Sequence, residues 1–191
     1  MKNKSKFLKI FLVLFSTIIF ISVVKAYLSN IQIVRNEFKV ANIDVRIEEN
    51  FNNTTWPELT TKEVNIVNYS DSKAVIRILY TEMWKYENRI ISNTFNGENV
   101  VIKNFTDEFL NDFVYYDGWY YYKKVLNGKE SVRVLNSIKL REELGSATDQ
   151  YLEGNYELTF HYEALQPTTK AIKEVWGLDA TIEEGNINWG I

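Results

Sequence analysis

Hydrophobic and polar positions alternate with a period of two in several short stretches of the chain. Ile43, Val45 and Ile47 alternate with Asp44, Arg46 and Glu48, and Tyr156, Leu158, Phe160 and Tyr162 alternate with Glu157, Thr159, His161 and Glu163. Successive side chains of a strand point to opposite faces, so each stretch lays an apolar row on one face of a sheet. Val64, Ile66 and Asn68 mark another strand. Ala74 to Tyr80 is apolar on both faces apart from Arg77, the pattern of a central strand covered on both sides. Between these runs lie the turn sequences Tyr69-Ser70-Asp71-Ser72, Asn96-Gly97, Asp117-Gly118 and Asn127-Gly128. Asn-Gly and Asp-Gly adopt the positive φ of tight hairpins, so Val114-Tyr115-Tyr116 and Trp119 to Leu126 are expected to pair across Asp117-Gly118. Two short helices are predicted: Thr106 caps one through Asp107 to Leu110, and Thr168 or Thr169 caps Lys170 to Trp176, which Gly177 ends. The expectation is an all-β fold, a jelly-roll or Greek-key-like β-sandwich with one or two short helices.

The amino end breaks this pattern. Lys2, Lys4, Lys6 and Lys9 precede Ile10 to Val24, a run of 15 residues that is apolar except for Ser16, Thr17 and Ser22. A spanning helix needs about 20 apolar residues, so a basic start and a shorter apolar run read as a secretory signal. Residues 1–26 are expected to form a signal helix, cut between Ala26 and Tyr27, and to be the chain's one membrane contact before cleavage. The layout that follows is a segment 27–40, a sandwich domain 41–179 and a loose C-terminal tail 180–191. The expected location is secreted, in the extracellular matrix or at the cell surface.

Composition sharpens two points. Of the 191 residues, 12 are Tyr, 11 Phe and 5 Trp, residue types that fit a pleated, half-buried surface and so reinforce the sheet reading. No cysteine is present, which rules out disulfides, thiolate metal sites and a cysteine nucleophile. Removing residues 1–26 takes away five lysines and no acid, leaving 17 Lys and Arg against 25 Asp and Glu, a net charge of −8. Such a surface repels phosphates, and no nucleic-acid partner is expected.

Candidate chemistry is sparse. His161 is the one histidine, too few for a histidine-rich zinc site, and it lies on the polar face of its strand with no glycine-rich nucleophile turn nearby. The pairs Glu48-Glu49, Glu142-Glu143 and Glu183-Glu184 are adjacent in sequence, which does not set two carboxyls across a sugar site; they are expected in loops or at element ends as solvated charge. No enzyme, metal or cofactor is expected. The run Tyr115 to Tyr122 offers Tyr116, Trp119 and Tyr121 as a candidate aromatic surface on which a sugar ring could stack. The same residues also suit a hairpin with one aromatic face in the core and one in cross-strand pairs.

Ala26-Tyr27-Leu28-Ser29-Asn30, followed by Asn36-Glu37-Phe38-Lys39-Val40-Ala41-Asn42-Ile43-Asp44-Val45, resembles the start of the TasA/camelysin-type biofilm matrix proteins of Gram-positive bacteria, with Ala41 where that family usually has glycine. Lys62-x-Val64-x-Ile66-x-Asn68, Ala74-Val75-Ile76-Arg77, Glu82-Met83-Trp84, Trp119 to Leu126 with Gly128, and Glu163-Ala164-Leu165-Gln166 with Trp176-Gly177 point to its BsaA-like branch. The resemblance implies export and cleavage by a SipW-type signal peptidase, and assembly with itself and related matrix subunits into extracellular fibres. It also implies donor-strand exchange, in which the amino-terminal segment of one subunit completes the sheet of the next by β-augmentation. Residues 27–40 are the candidate donor, with Ile31, Ile33, Val34, Phe38 and Val40 as its apolar positions. The competing function is a monomeric cell-surface adhesin or carbohydrate-binding module that uses the aromatic hairpin.

Overall fold

The alternating stretches pair into antiparallel sheets in a computed structural model that describes residues 42–52 and 57–191. In chain order the elements are β1 (Val45–Phe51), β2 (Thr60–Asn68), β3 (Val75–Tyr86), β4 (Arg89–Ile91), β5 (Thr94–Phe95), β6 (Glu98–Asn99), β7 (Val101–Phe105), α1 (Asp107–Asp112), β8 (Phe113–Tyr116), β9 (Trp119–Tyr122) and β10 (Ser131–Leu140). A 3-10 turn (Gly145–Ala147), α2 (Thr148–Leu152), β11 (Asn155–Leu165), α3 (Thr169–Trp176), β12 (Ala180–Glu183) and β13 (Asn186–Trp189) complete it. One sheet has the order β1-β2-β10-β7 and the other β11-β3-β9-β8, with β4 also paired to β3. β5 with β6, and β12 with β13, form separate hairpins.

The two large sheets share one core. Val45, Val64, Ile66, Val132, Leu135 and Ile138 come from the first; Ile76, Ile78, Trp84, Phe113, Leu158 and Phe160 come from the second. In β2 the buried positions recur strictly at every second residue, from Thr60 to Asn68. β3 lies between β11 and β9, as its two apolar faces require: Ile76 and Ile78 enter the shared core, while Val75 is buried on the opposite face. β10 departs from simple alternation. Its register shifts twice, at Arg133/Leu135 and Leu135/Ser137, so Val134 and Leu135 are both buried.

The turns follow their chemistry, with one exception. Asn96-Gly97 and Asp117-Gly118 have positive φ at both residues and join β5 to β6 and β8 to β9. Gly128 serves a close approach instead: a Cβ there would lie 2.6 Å from the backbone carbon and oxygen of Asp71. The same junction is tied by buried Asn68, whose Nδ2 donates to the carbonyls of Ser72, Leu126 and Asn127 while its Oδ1 accepts from Ser70 N and Oγ.

Three expectations need correction. The strand from Trp119 stops at Tyr122 rather than Leu126: its partner β8 begins only at Phe113, and beyond it Lys124 and Leu126 form isolated bridges with Asn186 and Ala74. Three α-helices are present among the described residues, the additional one being α2, which carries no side-chain cap of the kind that marks Thr106 and Thr168. Residues 180–191 are no loose tail: β12 and β13 form a hairpin whose Ile187 is 3% exposed, packed with Trp176 and Tyr121 in a second core on the outer face of the β3 sheet.

Burial of tyrosines makes stability sensitive to alkali. Burial, with Glu108, Asp112 and Glu130 adding repulsion, pushes the Tyr122 phenol up to about 12. Burial foremost also raises Tyr80 and Tyr156. A phenol whose folded pKa exceeds its unfolded value near 10 contributes stability that is intact below about pH 10 and lost as pH rises through the folded value. Unfolding free energy is therefore expected to be flat from pH 8 to about 10 and to fall steeply towards pH 12. Denaturant titrations across that range check it; an unchanged midpoint at pH 11.5 would contradict the assignment.

Candidate functional site

The two lateral margins of the sandwich are built differently. At one, β7 and β8 are the outer strands, and α1 connects them. Thr106 caps α1 by accepting from Phe109 N at 3.0 Å, and its hydroxyl donates to Arg133 O at 2.6 Å, which pins the helix to β10. Acidic Asp107 and Glu108 stand in the first turn, where the helix dipole favours them. Phe109 is thereby held between the sheets, its ring 4.7, 4.9 and 5.1 Å from those of Phe105, Tyr120 and Phe113. This margin is closed.

At the other margin β1 and β11 are the outer strands and meet side by side. β11 pairs along all eleven residues with β3, from Asn155↔Lys85 to Leu165↔Val75, and with no other described strand on its outer side. Between β1 and β11 runs an open groove of about 360 Å³ lined by Ile43, Val45, Tyr162, Glu163, Ala164 and Leu165. The described chain enters at Asn42, beside this groove. The cleavage residues Ala26 and Tyr27 and the candidate donor residues Ile31, Ile33, Val34, Phe38 and Val40 lie outside the described residues.

The candidate aromatic surface is divided. Tyr116 is exposed at the hairpin. Tyr121 is 2% exposed and faces the second core, with its hydroxyl accepting from Arg77 Nη1 at 3.0 Å. Trp119 is half-buried, and the Arg77 guanidinium lies 4.3 Å from its ring centroid and 4.8 Å from that of Trp176. Arg77 also bonds Glu163 Oε2 through Nη2 and Nε at 2.8 and 3.0 Å, and Trp176 Nε1 donates to the same oxygen at 2.7 Å. A cation held between two indoles covers the faces a sugar would use. The polar–apolar pattern of β9 could not reveal this, because Trp176 of α3 and the β12–β13 hairpin supply the cover from more than fifty residues along the chain. Trp189 Nε1 donates to Tyr122 O at 3.1 Å, and the backbone amide of Ile187 to Lys123 O at 2.7 Å, so the hairpin is stitched on. Tyr115, 61% exposed, joins Tyr116 as the accessible aromatic pair.

The remaining candidates stay apart. His161 is exposed on β11 opposite Leu79. Glu48 and Glu49 lie within β1, correcting their expected place in a loop; Glu48 accepts from the Tyr69 hydroxyl and Glu49 pairs with Lys62. Glu142 pairs with Lys139 beyond β10, and Glu184 sits in the β12–β13 turn. No group of three or more His, Cys, Asp or Glu side chains converges among the described residues, and no described helix is long and apolar enough to cross a membrane.

One polar centre escaped the sequence reading. Lys103 Nζ and Glu82 Oε1 form an ion pair at 2.6 Å inside the sandwich, with the two side chains 4% and 14% exposed. The parity of Ile76, Ile78, Tyr80 and Trp84 on β3 places Glu82 on the inward face, and that was the available clue. The chain matches no family model, no curated protein and no solved structure.

Proposed function

We propose that this chain is a secreted structural subunit of an extracellular biofilm-matrix fibre, a jelly-roll-type sandwich that polymerises by donor-strand exchange after its signal is removed by a SipW-type peptidase. The donor is residues 27–40 of one subunit, and the acceptor is the β1/β11 margin of a neighbour. The observation that supports this most is the contrast between the margins: α1 closes the β7/β8 side, whereas among the described residues β11 leaves a long edge beside an open groove. Backbone groups along such an edge are a template for another strand, and proteins usually blunt it. Ladder hydrogen bonds would give affinity, and Ile31, Ile33 and their neighbours would seat in the groove. No catalytic role enters this reading.

The test is electron microscopy and size-exclusion chromatography of the chain beginning at Tyr27, with and without residues 27–40. Filaments or ladders are expected from the first and monomers from the second. Monomers from the intact mature chain at high concentration would refute the proposal. The adhesin or carbohydrate-binding reading retains one observation, the exposed pair Tyr115 and Tyr116. Glycan binding that disappears on Tyr116→Ala, without any polymer, would favour it.

A further inference from the structure

The two faces of β11 differ along its edge. Leu158 and Phe160 point into the main core and are nearly inaccessible, and Ala164 packs against that core from the groove. Thr159 and His161 are exposed on the opposite face, in register with Thr81 and Leu79 of β3. Glu163 follows on that face. It bonds Arg77 and Trp176 through Oε2 alone, and its side chain is 42% exposed, which leaves Oε1 for a further cation. The segment proposed as donor carries a matching alternation. In an extended strand Val34, Phe38 and Val40 fall on one face, and Ile33, Arg35, Glu37 and Lys39 fall on the other.

We propose that residues 33–40 of a second copy pair antiparallel with β11, with Arg35 opposite Glu163, Glu37 opposite His161 and Lys39 opposite Thr159. This rests on the fibre reading above and adds polarity and register to it. Residues opposite each other in a ladder share a face. The same register therefore sets Val34 beside Ala164, Phe38 beside Phe160 and Val40 beside Leu158, while Ile33 meets Leu165 of the groove lining. Asn36, the one polar residue on the inward face, falls beside Tyr162, which is 38% exposed. A slip of one residue would turn Arg35 and Lys39 towards the core. A slip of two sets Glu37 against Glu163 in one direction; in the other it sets Arg35 against His161 and Asn36 against buried Phe160. A parallel strand can bring Lys39 to Glu163, but it then puts Asn36 beside Phe160 and Ile33 beside Glu157. The antiparallel register satisfies charge and burial together.

Reach assigns the occupant to another molecule. Ile43 lines the groove with Tyr162 to Leu165. In this register Val40 stands at Leu158, and the four residues from there to Tyr162 cover about 14 Å of strand. The three residues from Val40 to Ile43 span at most about 11 Å, so a chain cannot fill its own edge in this way.

The chain has no cysteine, so engineered pairs report on register without background. Directly opposite residues have Cα atoms about 4.5–5.5 Å apart, within reach of a disulfide. After mild oxidation, the chain beginning at Tyr27 with Lys39→Cys and Thr159→Cys is expected to give a ladder of disulfide-linked multimers on a non-reducing gel. Arg35→Cys with Thr159→Cys, the pair a parallel strand would bring together, is expected to give roughly tenfold less. Arg35→Glu adds no cysteine and sets like charges opposite each other; it is expected to raise the concentration needed for assembly roughly tenfold. Ladders from position 35 instead of 39 would overturn the polarity, and a disulfide closed within one monomer would overturn the second copy as occupant. Filaments in electron micrographs with neither pair crosslinked would overturn the register and leave the fibre reading standing. Absence of filaments as well as crosslinks would overturn both.

Discussion

Replacing Glu82 with alanine is expected to lower the unfolding free energy by roughly 3–5 kcal/mol, among the largest single-residue losses in this chain. The reason is asymmetry. Lys103 is nearly inaccessible, so without Glu82 its ammonium remains charged in the interior with no carboxylate to compensate it. Tyr156 also loses the acceptor of its hydroxyl bond to Glu82. Removing both charges, as Glu82→Met with Lys103→Leu, is expected to recover most of the loss, because apolar side chains of similar volume often match a buried pair. Guanidinium denaturation of the three variants measures this. A loss below 1 kcal/mol for Glu82→Ala would mean that water reaches the ammonium, and that the two sheets are not sealed at this point.

A lysine at position 164 is expected to abolish polymerisation while leaving the fold intact. Ala164 is half-buried near the end of β11, packs against the main core, and lines the groove beside Ile43 and Val45. A charged head there would have to be desolvated by any incoming strand, and lysine is the residue natural edge strands use to prevent such pairing. Because Ala164 also touches the core, the substitution is expected to cost about 0.5–3 kcal/mol, the usual range for a single change. The variant keeps its donor segment and loses only its acceptor. Mixed with wild-type chains it should therefore terminate filaments, whose mean length in electron micrographs falls as its fraction rises. Filaments of ordinary length from pure Ala164→Lys would move the acceptor away from the β1/β11 margin.

The two experiments separate packing from assembly. The first acts at the centre of the sandwich, away from both margins; the second acts on one margin, at a partly buried residue that packs against the core. A third contact surface, the second core under α3, bears on neither. Arg77, Trp119, Trp176 and Glu163 hold the carboxy-terminal helix and hairpin against the sheet. Burial of Tyr121 and Tyr122, with Arg77 over the Trp119 ring, leaves Tyr115 and Tyr116 as the exposed part of the aromatic run.

Local patterning accounts for much of the fold. Alternation along residues 43–47, 64–68 and 156–162 carried enough information to place β1, β2 and β11, since period two is imposed by strand geometry itself. Thr106, Thr168 and Gly177 marked helix ends because caps satisfy backbone groups within a few residues. β10 was illegible: its two bulges bury Val134 and Leu135 side by side and erase the alternation. α2 had no capping side chain to announce it.

What the amino-acid sequence determined by itself is therefore the all-β class, the tight turns at Asn96-Gly97 and Asp117-Gly118, and the caps, all governed by interactions a few residues apart. Tertiary structure alone decided which margin α1 closes, which face of Tyr121 is covered, and that Lys103 meets Glu82. Those outcomes depend on strands paired across tens of residues, and the same alternating pattern serves a face turned to water or a face covered by a distant helix.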